Sequence, residues 1–397
     1  MWKVIVLIVG VVTAAPTNEE NLNFVPLNEF ALTLLDNAYG AQSLLGRKNI
    51  AISPLSVWSV FSLLAEGSSG ETFHELMKGL RLPRDLRATQ ALHFGARSIL
   101  KRNNNDVTLN GKSAIFSECS LVIHPEFCQA ALGYNTDIYS VDPSNTTKLA
   151  NDINYYVCIA TEGQIFNAVK PEFLENLKMI IVDAVYFKAN WTVPFNPSQT
   201  KEESFYSSQG KSIGLVNMMY HKTHHRFADV DEIGAQVLEM AYGRDEQFSM
   251  LILLPSDGIP IKSLLSNLVS QPMSWIDALK DSGNVNIDCY IPRFKISCQT
   301  DLVPPMQYSG ILSIFDKQKA QLPGVSDVPL FVSKTIQNVE IDVNESGTVA
   351  ASSTVVGLEN RVLGQRFEAN KEFVFMIVEK KNNVILFAGV YEDPSPV

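Results

Sequence analysis

The stretch ESGTVAASSTVVGLENR runs from Glu345 to Arg361, and its twelve residues from Gly347 to Leu358 contain no charge and no proline. The chain as a whole is 19% Asp, Glu, Lys and Arg, so the tract stands out. Threonine and valine give it strand character. Taken as a strand, Thr348, Ala350, Ser352 and Thr354 point to one side, and Val349, Ala351, Ser353 and Val355 to the other. The first row is uniformly small, which suits entry between existing strands over a packed core. Glu345 to Arg361 would span roughly 50 Å when extended. An ordinary core strand does not account for the polar end, Leu358 to Gln365, with Glu359, Asn360, Arg361 and Gly364. Permanent exposure of the uncharged part would invite aggregation. A segment that waits outside and later joins a sheet satisfies both halves.

The rest of the sequence bounds what such a segment serves. At 397 residues the chain can bury a large core, as several domains or one large mixed one. A net charge of -10 argues against bulk electrostatic binding to nucleic acid. Met1-Trp2-Lys3, an apolar run Val4 to Val12 interrupted by Gly10, and Thr13-Ala14-Ala15 read as a secretory signal peptide over residues 1–14. Residues 15–397 are then the mature, extracellular chain. The apolar run is too short for a membrane span. Asn145, Asn190 and Asn344 head sequons, and Asn145, in a polar loop, is the best acceptor. Asn190 sits in aromatic, strand-like sequence that argues for burial. The cysteines are Cys119, Cys128, Cys158, Cys289 and Cys298, an odd number without zinc-like spacing. Cys119 with Cys128 and Cys289 with Cys298 are local bridges or, on the blander reading, free thiols.

Helical patterns dominate the first part: Asn28 to Ala41, a helix opened by Ser53-Pro54 and ending near Gly67, Thr72 to Leu80, and Arg84 to Arg102. Strand patterns follow at Ser113 to Phe116, Met179 to Phe187, Gln236 to Leu254 and Val285 to Ile296. A C-terminal hairpin, Phe373 to Val378 and Val384 to Tyr391, turns at Lys380 to Asn383. Helices first and mostly antiparallel strands later predict an α+β fold.

Enzyme signatures are missing. No GxSxG, GxGxxG or GxxxxGK[ST] occurs, and Lys78 stands where His74-Glu75 would need a second histidine. No cofactor or metal site is expected. His221, His224 and His225 in HKTHHRF offer imidazoles for zinc or copper, but a polar turn between strands is the simpler reading. Arg84, Arg87, Arg97, Lys101 and Arg102 make one helical stretch basic, as a glycosaminoglycan site or as a solvated face.

The chain resembles the serpin family over nearly its whole mature length. Asn49-Ile-Ala-Ile-Ser53-Pro54-Leu55-Ser56, Gly67-Ser-Ser-Gly70-Glu-Thr72 with Glu75-Leu76, and Asp183-Ala-Val-Tyr-Phe187-Lys188-Ala-Asn-Trp191 with Phe195 and Thr200 carry the likeness. So do Ser249-Met250-Leu-Ile-Leu-Leu-Pro255, Ile291-Pro292-Arg293-Phe294 and Phe367-Glu-Ala-Asn370-Lys-Glu-Phe373-Val-Phe375. Each motif alone is weak, and their order and spacing together are specific. The resemblance implies a serpin fold with three β-sheets, about nine helices and an exposed reactive centre loop at about 345–366. It implies a secreted suicide-substrate inhibitor of a serine protease, not an enzyme, acting as a monomer. Glu345, Gly347, Thr348, Val349, Ala350, Ala351, Ser352, Ser353 and Thr354 would form the hinge, with Val349 where the family usually has Glu. Counting along the loop sets the reactive bond at Arg361-Val362, bait for a trypsin-like protease that forms a covalent acyl complex. Arg366 would make the loop five residues too long, and Leu358 or Leu363 is a minor bait. Ser53, Ser56, Asp183, Trp191 and Gln337 fall at the family's shutter and breach, with Asp183 in place of Asn and Gln337 in place of His. Tyr155-Tyr156 and Glu372 also depart from the family's Trp and Pro. The alternative is a non-inhibitory carrier or binding protein of the same family, cut as a plain substrate.

Overall fold

The computed structural model describes residues 22–100, 106–347 and 365–394. The N-terminal run, Lys101 and Arg102, and the segment from Thr348 to Gly364, with Arg361 and Val362, lie outside the described residues.

The chain begins with α1 (Val25–Leu44), a short strand β1 (Ile50–Ile52), α2 (Pro54–Glu66), α3 (Gly70–Gly79) and α4 (Leu86–Leu100). α2 is apolar on nearly every side, from Leu55 and Val57 through Phe61, Leu63 and Leu64, so it runs through the core rather than over it. Pro54 opens it, and Ser53 precedes it in extended conformation. The Ser53 hydroxyl does not cap the helix, and donates instead to the Leu386 carbonyl at 2.9 Å.

The middle of the chain supplies β2 (Val107–Glu118), α5 (Pro125–Gly133), β3 (Thr136–Val141), α6 (Thr146–Ala160), β4 (Met179–Ala189), β5 (Lys201–Tyr206), β6 (Ser212–Val230), β7 (Ala235–Tyr242) and β8 (Phe248–Pro255). Then come α7 (Ile261–Ser270), α8 (Trp275–Asp281), β9 (Asn284–Pro292), β10 (Phe294–Asp301), α9 (Val303–Tyr308) and β11 (Lys334–Val343). After the undescribed segment follow β12 (Gln365–Glu368), β13 (Phe373–Glu379) and β14 (Val384–Tyr391). The expected strand at Gln236 to Leu254 is therefore two, and that at Val285 to Ile296 breaks at Arg293.

Among the described residues the strands form two hydrogen-bonded sheets. One has five strands in the order β10-β11-β4-β2-β3, and the other has nine. β6 joins what was expected as two separate sheets into the second. Its end at Arg226–Val230 pairs with β7, and its Met218–Arg226 part pairs with β9. Most pairs are antiparallel, as expected, but β11 with β4, β2 with β3 and β12 with β9 are parallel.

β4 shows how the five-stranded sheet sits. Ile181, Val185 and Phe187 enter the main core with α2 and the nine-stranded sheet. Ile180, Val182 and Ala184 alternate into a second core under α6, against Ile153 and Val157. β13 and β14 are buried along both faces, which explains their unbroken apolar sequences. Asn383 makes their turn with a φ of 55°, a conformation asparagine tolerates. Asn28 of α1 pins that turn, donating to the Asn383 carbonyl and accepting from the Ile385 amide.

HKTHHRF is not a turn. It lies inside β6, with His221 and His225 buried and His224 exposed, because the alternation of a long strand carries the first two inward. All five cysteines are free thiols, so neither local bridge forms. Alkylation of the denatured, unreduced protein should therefore label five thiols per chain, and the native protein should react fastest at the exposed Cys119. Mass-spectrometric counting checks this, and a missing pair of labels would mean a bridge.

Candidate functional site

The site lies where β11 ends and the undescribed segment begins. Asn344 and Gly347 close a tight turn. The Asn344 amide donates to the Gly347 carbonyl at 2.8 Å, and the Gly347 amide returns a bond at 3.1 Å. Gly347 has a φ of +128°, and a Cβ there would stand 2.2 Å from the Ala189 carbonyl oxygen. Only glycine fits that conformation and that approach.

Trp191 braces the turn. Its indole donates to the Asn344 carbonyl at 2.9 Å, and its amide donates to the Ser346 carbonyl at 2.9 Å. Its ring stacks on Tyr242 with centroids 4.3 Å apart and planes 9° from parallel. Glu345 is buried in spite of its charge. The Thr200 hydroxyl donates to Glu345 Oε1 at 2.7 Å, Arg293 lies 3.7 Å from the same oxygen, and the Phe195 amide donates to the Glu345 carbonyl at 2.8 Å. Of the residues expected as hinge, Glu345 and Gly347 are thus tied down, and Thr348 to Thr354 lie outside the described residues.

Below the turn, β4 and β11 run side by side in parallel from Lys334 opposite Ile180 to Glu340 opposite Tyr186. Ser113, Asp183 and Gln337 fall in one row across β2, β4 and β11. Ser53 fixes the Gln337 amide: the Ser53 N–H donates to Oε1 at 2.9 Å, and Nε2 donates to the Ser53 carbonyl at 3.0 Å. Nε2 also donates to Asp183 Oδ2 at 2.6 Å. Asp183 Oδ1 takes the hydroxyls of Ser56 and Ser113. Burial raises the Asp183 pKa above the usual carboxylate range, and the bonds from Ser56, Gln337 and Ser113 oppose the rise.

Sequence reasoning named Ser53, Ser56, Asp183, Trp191 and Gln337, and the structure brings the first three and Gln337 into one network, with Trp191 beside the turn. It missed Ser113, whose part shows only in the β2–β4 register. It also missed Arg293 as a partner of Glu345, although the residue stood in a quoted motif. The three sequon asparagines differ in exposure. Asn145 is exposed but caps α6, accepting from the Lys148 amide at 2.9 Å. Asn190 and Asn344 are half-buried against the turn. In the basic stretch, the Arg97 guanidinium is held at the end of α5, donating to the Leu132 and Gly133 carbonyls. Arg84 and Arg87 are exposed on or beside α4.

The sequence profile described as "Serpin (serine protease inhibitor)" matches residues 26–394. Human Serpin B8 is 30% identical over 361 residues, covering 87% of this chain and 93% of that protein. Among solved structures, Serpin48 of the insect Tenebrio molitor aligns with a TM-score of 0.80 at 25% identity, over 96% of this chain and 100% of that one. Native protease nexin-1 with heparin aligns with a TM-score of 0.81 at 25% identity, over 94% and 100%. The chain belongs to the serpin family, a family of serine protease inhibitors, and has its mixed α+β fold.

Two measurements test this geometry. Gly347→Ala should destabilise the turn by about 1–3 kcal/mol through backbone strain and contact with Ala189, seen as a lower thermal midpoint; an unchanged midpoint would show the turn to be dispensable. Asp183→Asn keeps every contact if its carbonyl faces Gln337 and its amide faces the two serines. In the wild type the folded state holds the Asp183 proton more tightly than the unfolded state, so this residue's contribution to stability falls as pH rises above about 4. The variant should match the wild type near pH 4 and gain on it at higher pH, by about 1.4 kcal/mol for each unit by which burial raises the pKa. A gain independent of pH would place the charge elsewhere.

Proposed function

We propose that this serpin is a secreted suicide-substrate inhibitor of a trypsin-like serine protease, with Arg361-Val362 as the reactive bond. The protease attacks the Arg361 carbonyl and forms an acyl-enzyme, releasing the new amino terminus at Val362. The cut segment then enters the five-stranded sheet between β4 and β11 and carries the acylated protease with it before water can complete the hydrolysis. The Arg361 guanidinium would pair in two-pronged fashion with a carboxylate in the protease's specificity pocket.

The observation that carries this reading is the pair of antiparallel bridges made by Gly347, one to Asn344 and one to Asn190. They start a new strand between the extensions of β11 and β4. Continuing both registers sets Ala351 between Glu340 and Tyr186, and Thr354 between Gln337 and Asp183. Those pairs already face each other across β11 and β4, so the two registers agree. Each step replaces part of a parallel ladder by two antiparallel ones, which pair slightly better per residue. The register also turns the small row, Thr348, Ala350, Ser352 and Thr354, to the face that holds Asp183 and Val185. Val349 falls between Lys188 and Asp342 on the outer face, where Lys188 is exposed. Entry must break the Gln337–Asp183 bond, and the Thr354 hydroxyl arrives at that place to bond both. The apolar N-terminus and the sequons support secretion.

Mixing the protein with trypsin, running denaturing gels and weighing the released C-terminal peptide tests the proposal. The expected result is a detergent-stable complex and a peptide that begins at Val362. Cleavage without a complex would point to the carrier reading. Ser352→Arg, which forces a charge between Val185 and Val339, should convert the inhibitor to a substrate and raise the inhibitor consumed per complex at least about tenfold, a change of about 1.4 kcal/mol in partitioning. Val349→Arg should keep the complex.

A further inference from the structure

A cluster of metal-ligating side chains lies outside the network above. His221 Nε2 and His225 Nε2 face each other at 2.9 Å. The Cys289 sulfur lies with them, all three ligand atoms within 4.8 Å of one another and all three residues buried. Register explains the meeting. His221 is the direct partner of Cys289 across β6 and β9, and His225, four residues on, points to the same face. His224, which the sequence alone groups with the other two histidines, is on the exposed face. We propose that His221, His225 and Cys289 bind a d10 metal ion, Zn2+ or Cu+, through two imidazole nitrogens and one thiolate.

The donor set suits such an ion. Thiolate with imidazole favours Zn2+ and Cu+ over hard cations. Around tetrahedral zinc, with bonds of about 2.0–2.3 Å, nitrogens stand about 3.4 Å apart and nitrogen and sulfur about 3.6 Å. The histidines need to part by a few tenths of an ångström and the thiol to approach by about one. Without an ion, two neutral rings share a single N–H between them. His221 Nδ1 is also buried with no well-formed hydrogen bond, with the Pro194 backbone beside it. The Glu239 backbone lies beside the His225 ring. Main-chain groups on the far side of ligating imidazoles are the usual outer support of a metal site. A cavity of about 110 Å³ lined by Trp191, His224, His225 and Glu239 reaches the cluster at His225. Binding displaces one proton from Cys289, whose thiol pKa burial raises, and forms the metal–sulfur bond in its place.

The place of the cluster gives it a second consequence. The His221 ring stacks on Phe195 with centroids 3.9 Å apart, and the Phe195 amide holds the Glu345 carbonyl. Cys289 is also the register partner of Phe367 in β12. An ion here would sit between the Phe195 contact that holds Glu345 and the strand β9 that pairs with β12.

The experiment is equilibrium binding of Zn2+, and separately of Cu+ under reducing conditions, to the chelator-treated full chain, followed by Co2+ absorption. The expected result is one tight equivalent of at least one of the two ions, a thiolate-to-cobalt charge-transfer band, and a higher thermal midpoint with the bound ion. Cys289→Ser and His225→Ala should each weaken binding at least about tenfold, and His224→Ala and Cys119→Ser should leave it unchanged. Loss of binding with His224→Ala, or no tight equivalent of either ion, overturns the site. Should Cys289→Ser fail to fold, the cobalt band of the wild type decides, and a spectrum without thiolate character overturns it.

Discussion

The hydrogen bond from Gln337 Nε2 to Asp183 Oδ2 links the side chains of β11 and β4, neighbouring parallel strands of the five-stranded sheet. The features around it depend on that bond being well made. Ser53 holds the Gln337 amide by both ends, so one Nε2 hydrogen goes to the Ser53 carbonyl and the other to Asp183. Ser56 and Ser113 then supply the other carboxylate oxygen. The bond thus couples the start of α2, the neighbouring strand β2 and the two strands that the proposed mechanism separates. A half-satisfied version would cost more than an apolar one, since Ser53, Ser113, Asp183 and Gln337 are buried.

The same row explains why a carboxylic acid can stand where the family more often has an amide. Asp183 presents one oxygen that must accept and one that meets two hydroxyls able to donate or accept. An asparagine could meet those demands in one orientation, and a protonated acid could meet them too. What differs is the response to pH, because burial disfavours the charged form of the acid alone. Gln337 likewise does work that a histidine would do differently, since an amide carries both a donor and an acceptor in a fixed pair.

At the upper end of the sheet, restraint is arranged differently. Glu345 is anchored by Thr200, Arg293 and the Phe195 amide, and Gly347 is held against Ala189 and Asn190 by its unusual φ. The turn thus reverses the chain after β11 and sets Gly347 between Asn344 and Asn190. The core under α6 and the core around α2 meet this sheet on its two faces, so a strand added between β4 and β11 would find apolar surface on both.

Much of this was legible in the residues. Pro54, the apolar turns of α2, the β-branched runs of β4 and the C-terminal hairpin follow from local periodicity and backbone preference, which act over a few neighbours. The uncharged tract after Glu345 stands out by composition alone, and from Thr348 on it lies outside the described residues. The order of the serpin motifs then named the polar residues Ser53, Ser56, Asp183 and Gln337. What the sequence could not settle is whatever depends on register between distant strands. Ser113 joins Asp183, Arg293 reaches Glu345, and Cys289 meets His221 only because particular pairs fall opposite one another. HKTHHRF looked like a polar turn because its histidines, lysine and arginine are hydrophilic in sequence. Strand alternation in β6 buries two of those histidines, since a side chain's environment is set by the face it is given and not by its own polarity.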